Sequence, residues 1–180
     1  MLTKHPQEQV ILVNELDEEI GLADKLEAHK QGLLHRAFSV FLFRKINNKY
    51  QLLLQQRNPN KYHCGGLWTN TCCSHPRAGE TVELAAHRRL KEEMGIETPL
   101  ERVGQFCYRA ELDNGLIEHE LDHVFMGFYE SDTCTPDPIE VSNYKWETLD
   151  HLQTLMKNNP QAYTPWFEQA LGVVLLRLAI

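Results

Sequence analysis

The segment TNTCCSHPRAGE, residues 69–80, concentrates side chains that could do chemistry. Cys72 and Cys73 are adjacent, and His75 follows two positions after Cys73. Such a group can form half of a zinc site, form a disulfide, act as a nucleophile or pack in a core. No CxxC pair occurs in the chain, which disfavours a structural zinc knuckle. The segment alone leaves the other uses open.

Two glutamates, Glu118 and Glu120, form a second pattern that favours metal binding. In a strand, residues i and i+2 share a face, so these two carboxylates point together. His119 and His123 then point to the opposite face and are poor ligand candidates. Aligned carboxylates repel each other unless a cation or a proton lies between them. The alternative is a face that is exposed to solvent.

The segment GETVELAAHRRLKEEMG, residues 79–95, predicts a helix. Thr81 is a suitable N-cap, Gly95 is a suitable residue just after the last turn, and apolar side chains recur at helical spacing. On a solvated helix the charges would pair one turn apart, Arg88 with Glu92 and Arg89 with Glu93. The helix by itself therefore does not separate a structural role from a functional one.

Residues 74–96 resemble the Nudix box, whose pattern is Gly-x5-Glu-x7-Arg-Glu-apolar-x-Glu-Glu-x-Gly-apolar. A helix of this kind holds a divalent cation against a diphosphate, and Mg²⁺ suits such oxygen ligands. Two positions depart from the pattern, because Ser74 replaces the first glycine and Arg89 replaces the glutamate after the first arginine. Nudix hydrolases rely on that glutamate, so the departure weighs against cleavage of a pyrophosphate.

Together with TNTCCSHP, this box resembles that of the type I isopentenyl-diphosphate isomerases, a branch of the Nudix superfamily. The matching motifs occur in order over most of the chain. They comprise Lys25, His29, His35, residues 67–70, Cys73, His75, Arg89, residues 108–110, residues 117–120 and residues 164–166. Members of this branch are expected to show both departures from the hydrolase box.

The resemblance implies two metal sites and no flavin. The first site would hold Mn²⁺ or Zn²⁺, and its implied ligands are His29, His35, His75, Glu118 and Glu120. Five ligands exceed the number in a closed tetrahedral zinc site, and mixed nitrogen and oxygen donors suit Mn²⁺, Fe²⁺ or Zn²⁺. The second site would hold Mg²⁺ at Glu93, with the backbone carbonyl of Cys73 as a further ligand.

The resemblance also implies an enzyme of isoprenoid biosynthesis that converts isopentenyl diphosphate to dimethylallyl diphosphate. Cys73 and Glu120 would add and remove protons on opposite faces of the substrate, and Tyr108 would be a third catalytic residue that relays or holds the proton on Glu120. The residues implied to bind the substrate are Lys25, Arg57, Lys61, Arg89 and Trp166. One alternative is a Nudix hydrolase that cleaves a nucleoside diphosphate derivative. Another is a metal-binding domain without catalysis.

The elements that must position these residues predict one α/β (α+β) domain, residues 1–180, with a Nudix-like mixed sheet flanked by helices. Strands are predicted at residues 10–13, 37–43, 50–56, 103–110, 117–129 and 139–146. The turns KINNK and DNG favour two hairpins, and residues 57–71 are predicted to be a loop. Two further helices are predicted, one at residues 149–158 and one that begins at Thr164 as N-cap and Pro165 as first residue.

The composition is that of an ordinary globular protein, with 42% hydrophobic and 24% charged residues among 180. A net charge of −7 weighs against general binding to nucleic acid. No apolar run reaches the roughly 18 residues that a membrane span needs, and the first ten residues lack an apolar signal core. A cytoplasmic protein is expected, a monomer or weak homodimer, that binds a small diphosphate and neither nucleic acid nor membrane.

The five cysteines cannot all pair within one chain, and free thiols are expected in a reducing compartment. Cys64, Cys107 and Cys134 are expected to be small buried hydrophobic residues. Cys72 is expected to pack beside the loop that presents Cys73.

Overall fold

The structure is a computed structural model, and it describes residues 8–178. Within these residues, nine strands form one mixed sheet and four α-helices accompany it. The strands are β1 (Gln9–Val13), β2 (Glu19–Asp24), β3 (His35–Ile46), β4 (Lys49–Arg57), β5 (Trp68–Thr69), β6 (Cys72–Ser74), β7 (Glu101–Glu111), β8 (Ile117–Phe128) and β9 (Val141–Thr148). The helices are α1 (Lys25–Gln31), α2 (Val82–Met94), α3 (Leu149–Asn158) and α4 (Phe167–Leu178). The predicted mixed sheet with flanking helices is confirmed.

Strand β3 is the centre of the sheet. It pairs with β1, β4 and β6 in antiparallel fashion and with β8 in parallel fashion. Its run AFSVFLF is buried on both faces, as is typical of a strand with layers on either side. Phe38 and Val40 pack in the core that includes α2, whereas Phe41 and Phe43 pack in the core that includes α3 and α4. The functional residues of β6 and β8 are thus held on the two flanks of one rigid strand.

Helix α2 has the bounds that its caps predict. Thr81 Oγ1 accepts from the backbone N–H of Leu84 at 3.2 Å, which supplies the N-cap. Gly95 ends the helix with φ of +67°, in the left-handed region that glycine adopts without strain. A side chain there would also be excluded, since a Cβ atom on Gly95 would lie 2.0 Å from Thr135 Oγ1.

Both predicted hairpins, β3–β4 and β7–β8, are present. In the β3–β4 turn, Asn47 and Asn48 have φ of +49° and +62°, as in the tight turns that suit the twist of a hairpin. Strands β7 and β8 flank the DNG turn and pair over most of their length.

Helix α4 begins at Phe167, two residues later than Pro165, the start that was predicted from the sequence.

Several elements were not predicted. Strand β2 and helix α1 precede the central strand, and the predicted loop at residues 57–71 contains β5. The expectation for the cysteines was wrong at Cys107, which is exposed, and Cys64 and Cys134 are only half-buried. Cys72 is fully buried, as expected.

The ends of the chain carry two expectations about membranes and export. Helix α4 contains most of the apolar C-terminal run and buries Leu171 and Val174. None of the helices in residues 8–178 has both the length and the apolar character that crossing a membrane requires. The expectation about an export signal concerns the first ten residues, of which residues 1–7 lie outside the described range.

Candidate active site

Strand β6 sends its two cysteines to opposite sides of the sheet. Cys72 pairs with Val40 and Cys73 with Ser39 in β3, and successive side chains of a strand alternate. Cys72 is therefore buried in the core beneath α2. Cys73 lines a cavity of about 130 Å³. The two adjacent thiols thus have separate surroundings.

Asn70 connects the strand of Cys73 to Trp166. Its side-chain nitrogen donates to the carbonyl oxygens of Val40 at 3.2 Å and Cys72 at 2.7 Å. Its side-chain oxygen accepts from Trp166 Nε1 at 3.2 Å. Trp166 is 4% exposed and lines the same cavity as Cys73. The position of the indole is therefore set by the same amide that holds the cysteine strand.

Three acidic residues alternate along one face of β8: Glu118, Glu120 and Asp122. All three are buried. Tyr108 lies opposite Glu120 in the β7–β8 pairing, and its hydroxyl is 3.2 Å from Oε2 of both glutamates. Burial raises the pKa of Tyr108, and the charges of Glu118 and Glu120 raise it further. The phenol therefore keeps its proton between the two carboxylates.

The two histidines of β8 lie on the opposite face, as strand alternation predicts. His119 Nδ1 is 2.9 Å from the carbonyl oxygen of Gly32. His123 Nε2 is 3.0 Å from Asp17 Oδ2. Within residues 8–178, neither histidine belongs to a group of side chains able to hold a metal ion.

Three other histidines converge beside Glu120. His35 opens β3 next to Glu120 in the parallel pairing with β8, and His75 directly follows β6. The Nε2 atoms of His35 and His75 are 3.4 Å and 2.9 Å from Glu120 Oε1. His29 comes from α1, with its ring centroid 4.9 Å from that of His35. One ligand atom from each of these four residues lies within 4.8 Å of the others.

The donor atoms of this cluster fit a cation. The carbonyl oxygens of Lys25 and Leu33 lie 2.7 Å and 2.8 Å from Nδ1 of His29 and His35. Each Nδ1 therefore carries a hydrogen, so Nε2 is the atom that would bind a metal ion, with release of any proton that it holds. In the described part of the chain, His29 Nε2 and Glu118 Oε1 are buried without a hydrogen-bond partner. Buried, unpartnered and converging donors are what a divalent cation would satisfy.

Burial and neighbouring charges give Cys73 and Glu120 opposite protonation states. Burial raises the pKa of the Cys73 thiol to about 12, although the positive charge of Arg57 opposes this shift. Burial also acts to raise the pKa of Glu120, but hydrogen bonding to His35 and its charge outweigh it and lower the pKa to about 2. Near neutral pH the thiol is therefore protonated and the carboxylate is ionised.

Four basic residues line the cavity that Cys73 and Trp166 share. They are Lys25, Arg57, Lys61 and Arg89. Arg57 is 3% exposed, and its guanidinium carbon is 5.6 Å from the centroid of the Trp166 ring. Its Nη1 is 4.0 Å from Cys73 Sγ. The positively charged guanidinium of Arg57 therefore lies next to the thiol of Cys73.

Two carboxylates pair with the other three basic residues. Glu8 Oε2 is 3.0 Å from Lys25 Nζ. Glu140 pairs with Lys61, and its Oε1 is 3.0 Å from Arg89 Nη2. Burial acts to raise the pKa of Glu140, but Lys61 and Arg89 outweigh it and hold the pKa at about 2. A diphosphate that enters the cavity would replace these carboxylates as the partner of the basic residues.

Helix α2 turns one of its acidic residues inward. Glu93 is 2% exposed, accepts from Arg89 Nη2 at 2.7 Å and accepts from Gln55 Nε2 at 3.0 Å. Arg88 instead makes two bonds to Glu80, at 2.7 Å and 2.8 Å, and also pairs with Glu92. Both salt bridges expected one turn apart are thus present, but the one between Arg89 and Glu93 faces the cavity.

Known proteins resemble this chain over nearly all of its length. The model of the NUDIX domain matches residues 33–167. An isopentenyl-diphosphate Delta-isomerase 2 of Photorhabdus laumondii is 51% identical over 169 residues, which are 92% of this chain and 91% of that protein. An isopentenyl-diphosphate Delta-isomerase of Photobacterium profundum is 47% identical over 175 residues, which are 96% and 97% of the two chains. The chain belongs to the isopentenyl-diphosphate Delta-isomerase family of NUDIX-domain proteins.

Solved structures agree with the NUDIX fold of this family member. A protein of Deinococcus radiodurans superposes with a TM-score of 0.70 and 22% identity, covering 92% of this chain and 97% of its own. An Ap4A hydrolase of C. elegans superposes with a TM-score of 0.58 and 22% identity, covering 80% and 97%. At such identities the likeness establishes the fold alone. The match to the NUDIX domain, together with the converging donor atoms beside Glu120, supports dependence on a divalent metal.

The residues that sequence motifs single out in this family member lie around one cavity or directly behind it. Cys73, Glu120 and Trp166 line it with the four basic residues and Glu93, and His75 does so as well. His29, His35, Glu118 and Tyr108 lie behind Glu120. Asp122 also lines the cavity and was not singled out. Extending the alternation of Glu118 and Glu120 by two residues would have identified it.

One buried histidine of the site, His63, was also not singled out. It is 7% exposed, and its Nε2 is 3.1 Å from Glu118 Oε1. Burial lowers its pKa to about 2, although the charge of Glu118 opposes the shift. His63 lies in the irregular segment between β4 and β5, where no periodicity predicts which way a side chain points.

Proposed function

We propose that this protein is an isopentenyl-diphosphate isomerase that converts isopentenyl diphosphate to dimethylallyl diphosphate in isoprenoid biosynthesis. We treat the whole chain, residues 1–180, as one isomerase domain. The relatives carry this activity in their names and match the chain almost end to end. The observation that carries the proposal is that Cys73 and Glu120 line one cavity from two different strands. Each bears the protonation state that one half of the reaction requires.

The reaction moves a double bond without changing the composition of the substrate. A proton is added to the terminal alkene carbon, and another is removed from the carbon next to the one that bears the diphosphate. Cys73 and Glu120 form the donor and acceptor pair. Because the reaction is reversible, the group that donates a proton in one direction accepts a proton in the other. Tyr108, 3.2 Å from Glu120 Oε2, holds the carboxylate in place and can exchange a proton with it.

Trp166 lies where positive charge develops during this transfer. Protonation of the alkene places positive charge on the branched carbon, and an aromatic face attracts a desolvated cation by about 2 kcal/mol. The indole is buried, and its Nε1 bond to Asn70 fixes its orientation relative to the strand of Cys73. Burial of the indole also limits the access of water to the cation on that side of the cavity.

The basic residues of the cavity bind the diphosphate. Lys25, Lys61 and Arg89 exchange their carboxylate partners for phosphate oxygens, and Arg57 stays buried beside Cys73. Holding the diphosphate by several charge-assisted hydrogen bonds fixes the carbon chain against the two proton-transfer groups.

We assign the metal-binding roles as follows. Mn²⁺ or Zn²⁺ would be held by His29, His35, His75, Glu118 and Glu120. Mg²⁺ would be held by Glu93, with the carbonyl oxygen of Cys73 as a further donor. When bound, these ions would neutralise the facing carboxylates and offset the charge of the diphosphate. No flavin is required by a proton-transfer route of this kind.

The presence of Arg89 weighs against the alternative that this protein is a Nudix hydrolase. In a Nudix hydrolase the equivalent position supplies a metal-binding glutamate, whereas here a guanidinium bonds to Glu93 and Glu140. We also infer a cytoplasmic protein, a monomer or weak homodimer, whose partner is a small diphosphate rather than nucleic acid or a membrane. The net charge of −7 supports the exclusion of nucleic acid.

The proposed function is tested by product analysis with matched variants. The protein is incubated with isopentenyl diphosphate, Mg²⁺ and Mn²⁺, and the products are separated by chromatography. Dimethylallyl diphosphate from the wild type and from Cys107→Ala, but not from Cys73→Ala, is the expected result. Cys107 is an exposed control thiol outside the cavity. Release of inorganic phosphate instead would support the hydrolase, and full turnover by Cys73→Ala would refute the role of Cys73.

A further inference from the structure

His63 is a buried histidine beside the proposed metal centre that the ligand set above does not use. Its Nε2 atom is 3.1 Å from Glu118 Oε1. Its ring centroid is 5.2 Å from that of His29. Imidazole nitrogen is a common ligand of transition-metal ions, and buried polar side-chain atoms usually have a partner.

The distances between donor atoms divide the site into two groups that share His29. In one group, His29 lies with His35, His75 and Glu120, all within 4.8 Å of one another. In the other, His29 lies with His63 and Glu118 within the same distance. The donor atom of Glu118 is therefore grouped with those of His29 and His63 rather than with the group that contains Glu120.

Within residues 8–178, two of the three candidate ligand atoms in the second group lack a hydrogen-bond partner. His29 Nε2 and Glu118 Oε1 have no hydrogen-bond partner in the described part of the chain, and both are buried. Arg57 Nη2 lies 3.3 Å from His63 Nε2, but it also donates to the carbonyl oxygen of His63 at 3.2 Å. A cation at Nε2 would replace the contact with Arg57, which would keep its bond to the carbonyl oxygen.

The segment that carries His63 is held in place by contacts at both ends. A Cβ atom on Gly65 would lie 2.5 Å from the carbonyl oxygen of Pro59, so the chain folds back closely on itself. The carbonyl oxygen of Tyr62 accepts from Asn114 Nδ2 at 2.7 Å. Asn114 lies in the turn that leads into β8, the strand of Glu118. The backbone next to His63 is thus held by the turn that leads into the strand of Glu118.

We propose that His63 is a further ligand of the metal centre, binding a divalent transition-metal ion through Nε2 on the side of Glu118. This assignment rests on the metal centre of the proposed isomerase. It raises the donor set to four imidazoles and two carboxylates, which favours a transition metal over Mg²⁺. Metal content per chain then tells whether the six side chains hold one ion or two.

The test loads the full-length protein with Co²⁺ and records its proton NMR spectrum. Each imidazole bound through Nε2 keeps a hydrogen on Nδ1, which gives a strongly shifted, exchangeable signal. Four such signals are expected in the wild type, from His29, His35, His63 and His75. His63→Gln should lose one signal, and His87→Gln should keep all four. His87 is exposed on α2 and serves as the matched control.

Affinity gives a second readout that does not depend on activity. Competition with a chelator should show that His63→Gln binds Co²⁺ at least about tenfold more weakly than the wild type. Three signals in the wild type that persist in His63→Gln would overturn the assignment. If His63→Gln does not fold, the number of signals in the wild type decides.

The outcomes for His63 and for the proposed function are distinguishable. Four shifted signals from a protein that does not isomerise isopentenyl diphosphate would uphold the ligand and refute the enzyme. Three signals from an active isomerase would overturn the ligand alone. A protein that takes up no Co²⁺ would overturn the metal centre and His63 with it.

Discussion

Replacement of Trp166 tests how the cavity acts on the substrate. Trp166→Phe keeps an aromatic face but removes the Nε1–H that donates to Asn70. Trp166→Leu removes the face altogether. The attraction between an aromatic face and a desolvated cation is about 2 kcal/mol, and 1.36 kcal/mol corresponds to a tenfold change in rate. Trp166→Leu should therefore lower kcat by about 30-fold.

The Michaelis constant should change little in both variants, because the diphosphate is held by other residues. Trp166→Phe should lose less of kcat than Trp166→Leu, since its ring still presents a face, although a weaker one than indole. The assay is the steady-state formation of dimethylallyl diphosphate over a range of substrate concentrations. Because Trp166 is 4% exposed, each variant is assayed well below its own unfolding temperature.

Two results would refute this reasoning. Equal losses of kcat in the Phe and Leu variants would show that the aromatic face does not stabilise charge. A rise in the Michaelis constant with unchanged kcat would show that Trp166 acts only in binding. A third variant, Phe167→Leu, serves as a control for packing, because Phe167 is buried in the core under α4 rather than in the cavity.

The other predictions concern the two thiols, Tyr108 and Glu140. Cys73→Ala should abolish isomerisation with unchanged metal content by elemental analysis, whereas Cys72→Ala should keep turnover and lose about 1 kcal/mol of stability to denaturant; equal losses of turnover would contradict their separate surroundings. Tyr108→Phe should lower kcat by about 100-fold without changing metal content, and an unchanged kcat would exclude the hydroxyl from proton transfer. The pKa of Glu140 falls from 4.5 to about 2 on folding, so its contribution to stability is present above pH 4.5 and is lost as pH falls toward 2. Glu140→Gln should accordingly flatten the pH dependence of urea unfolding between about pH 5 and about pH 3, and identical slopes would contradict the assignment.

Local signals predicted the elements that carry the box and the carboxylates. Thr81 and Gly95 bound α2 because an N-cap hydroxyl and a left-handed glycine satisfy the backbone at its two ends. The DNG turn fixed the β7–β8 hairpin, and alternation along β8 then separated Glu118 and Glu120 from the histidines. These features follow from neighbours in sequence, which is why a single chain reveals them.

Features that depend on tertiary contacts were not predictable in the same way. Helix α1 has only seven residues, too few for independent stability, although Asp24 and Gly32 cap it. Its packing brings His29 beside His35. His63 approaches Glu118 from an irregular segment through contacts with the turn before β8. Neither approach leaves a periodic signal in the sequence.

The most direct test of the central claim is proton and phosphorus NMR of the protein with isopentenyl diphosphate, Mg²⁺ and Mn²⁺ in D₂O. If Cys73 and Glu120 transfer protons between solvent and substrate, dimethylallyl diphosphate should appear carrying deuterium, with no free phosphate. Free phosphate would contradict the isomerase and leave Arg89 to be explained in a hydrolase. Dimethylallyl diphosphate without deuterium would contradict a pair of separate proton-transfer groups.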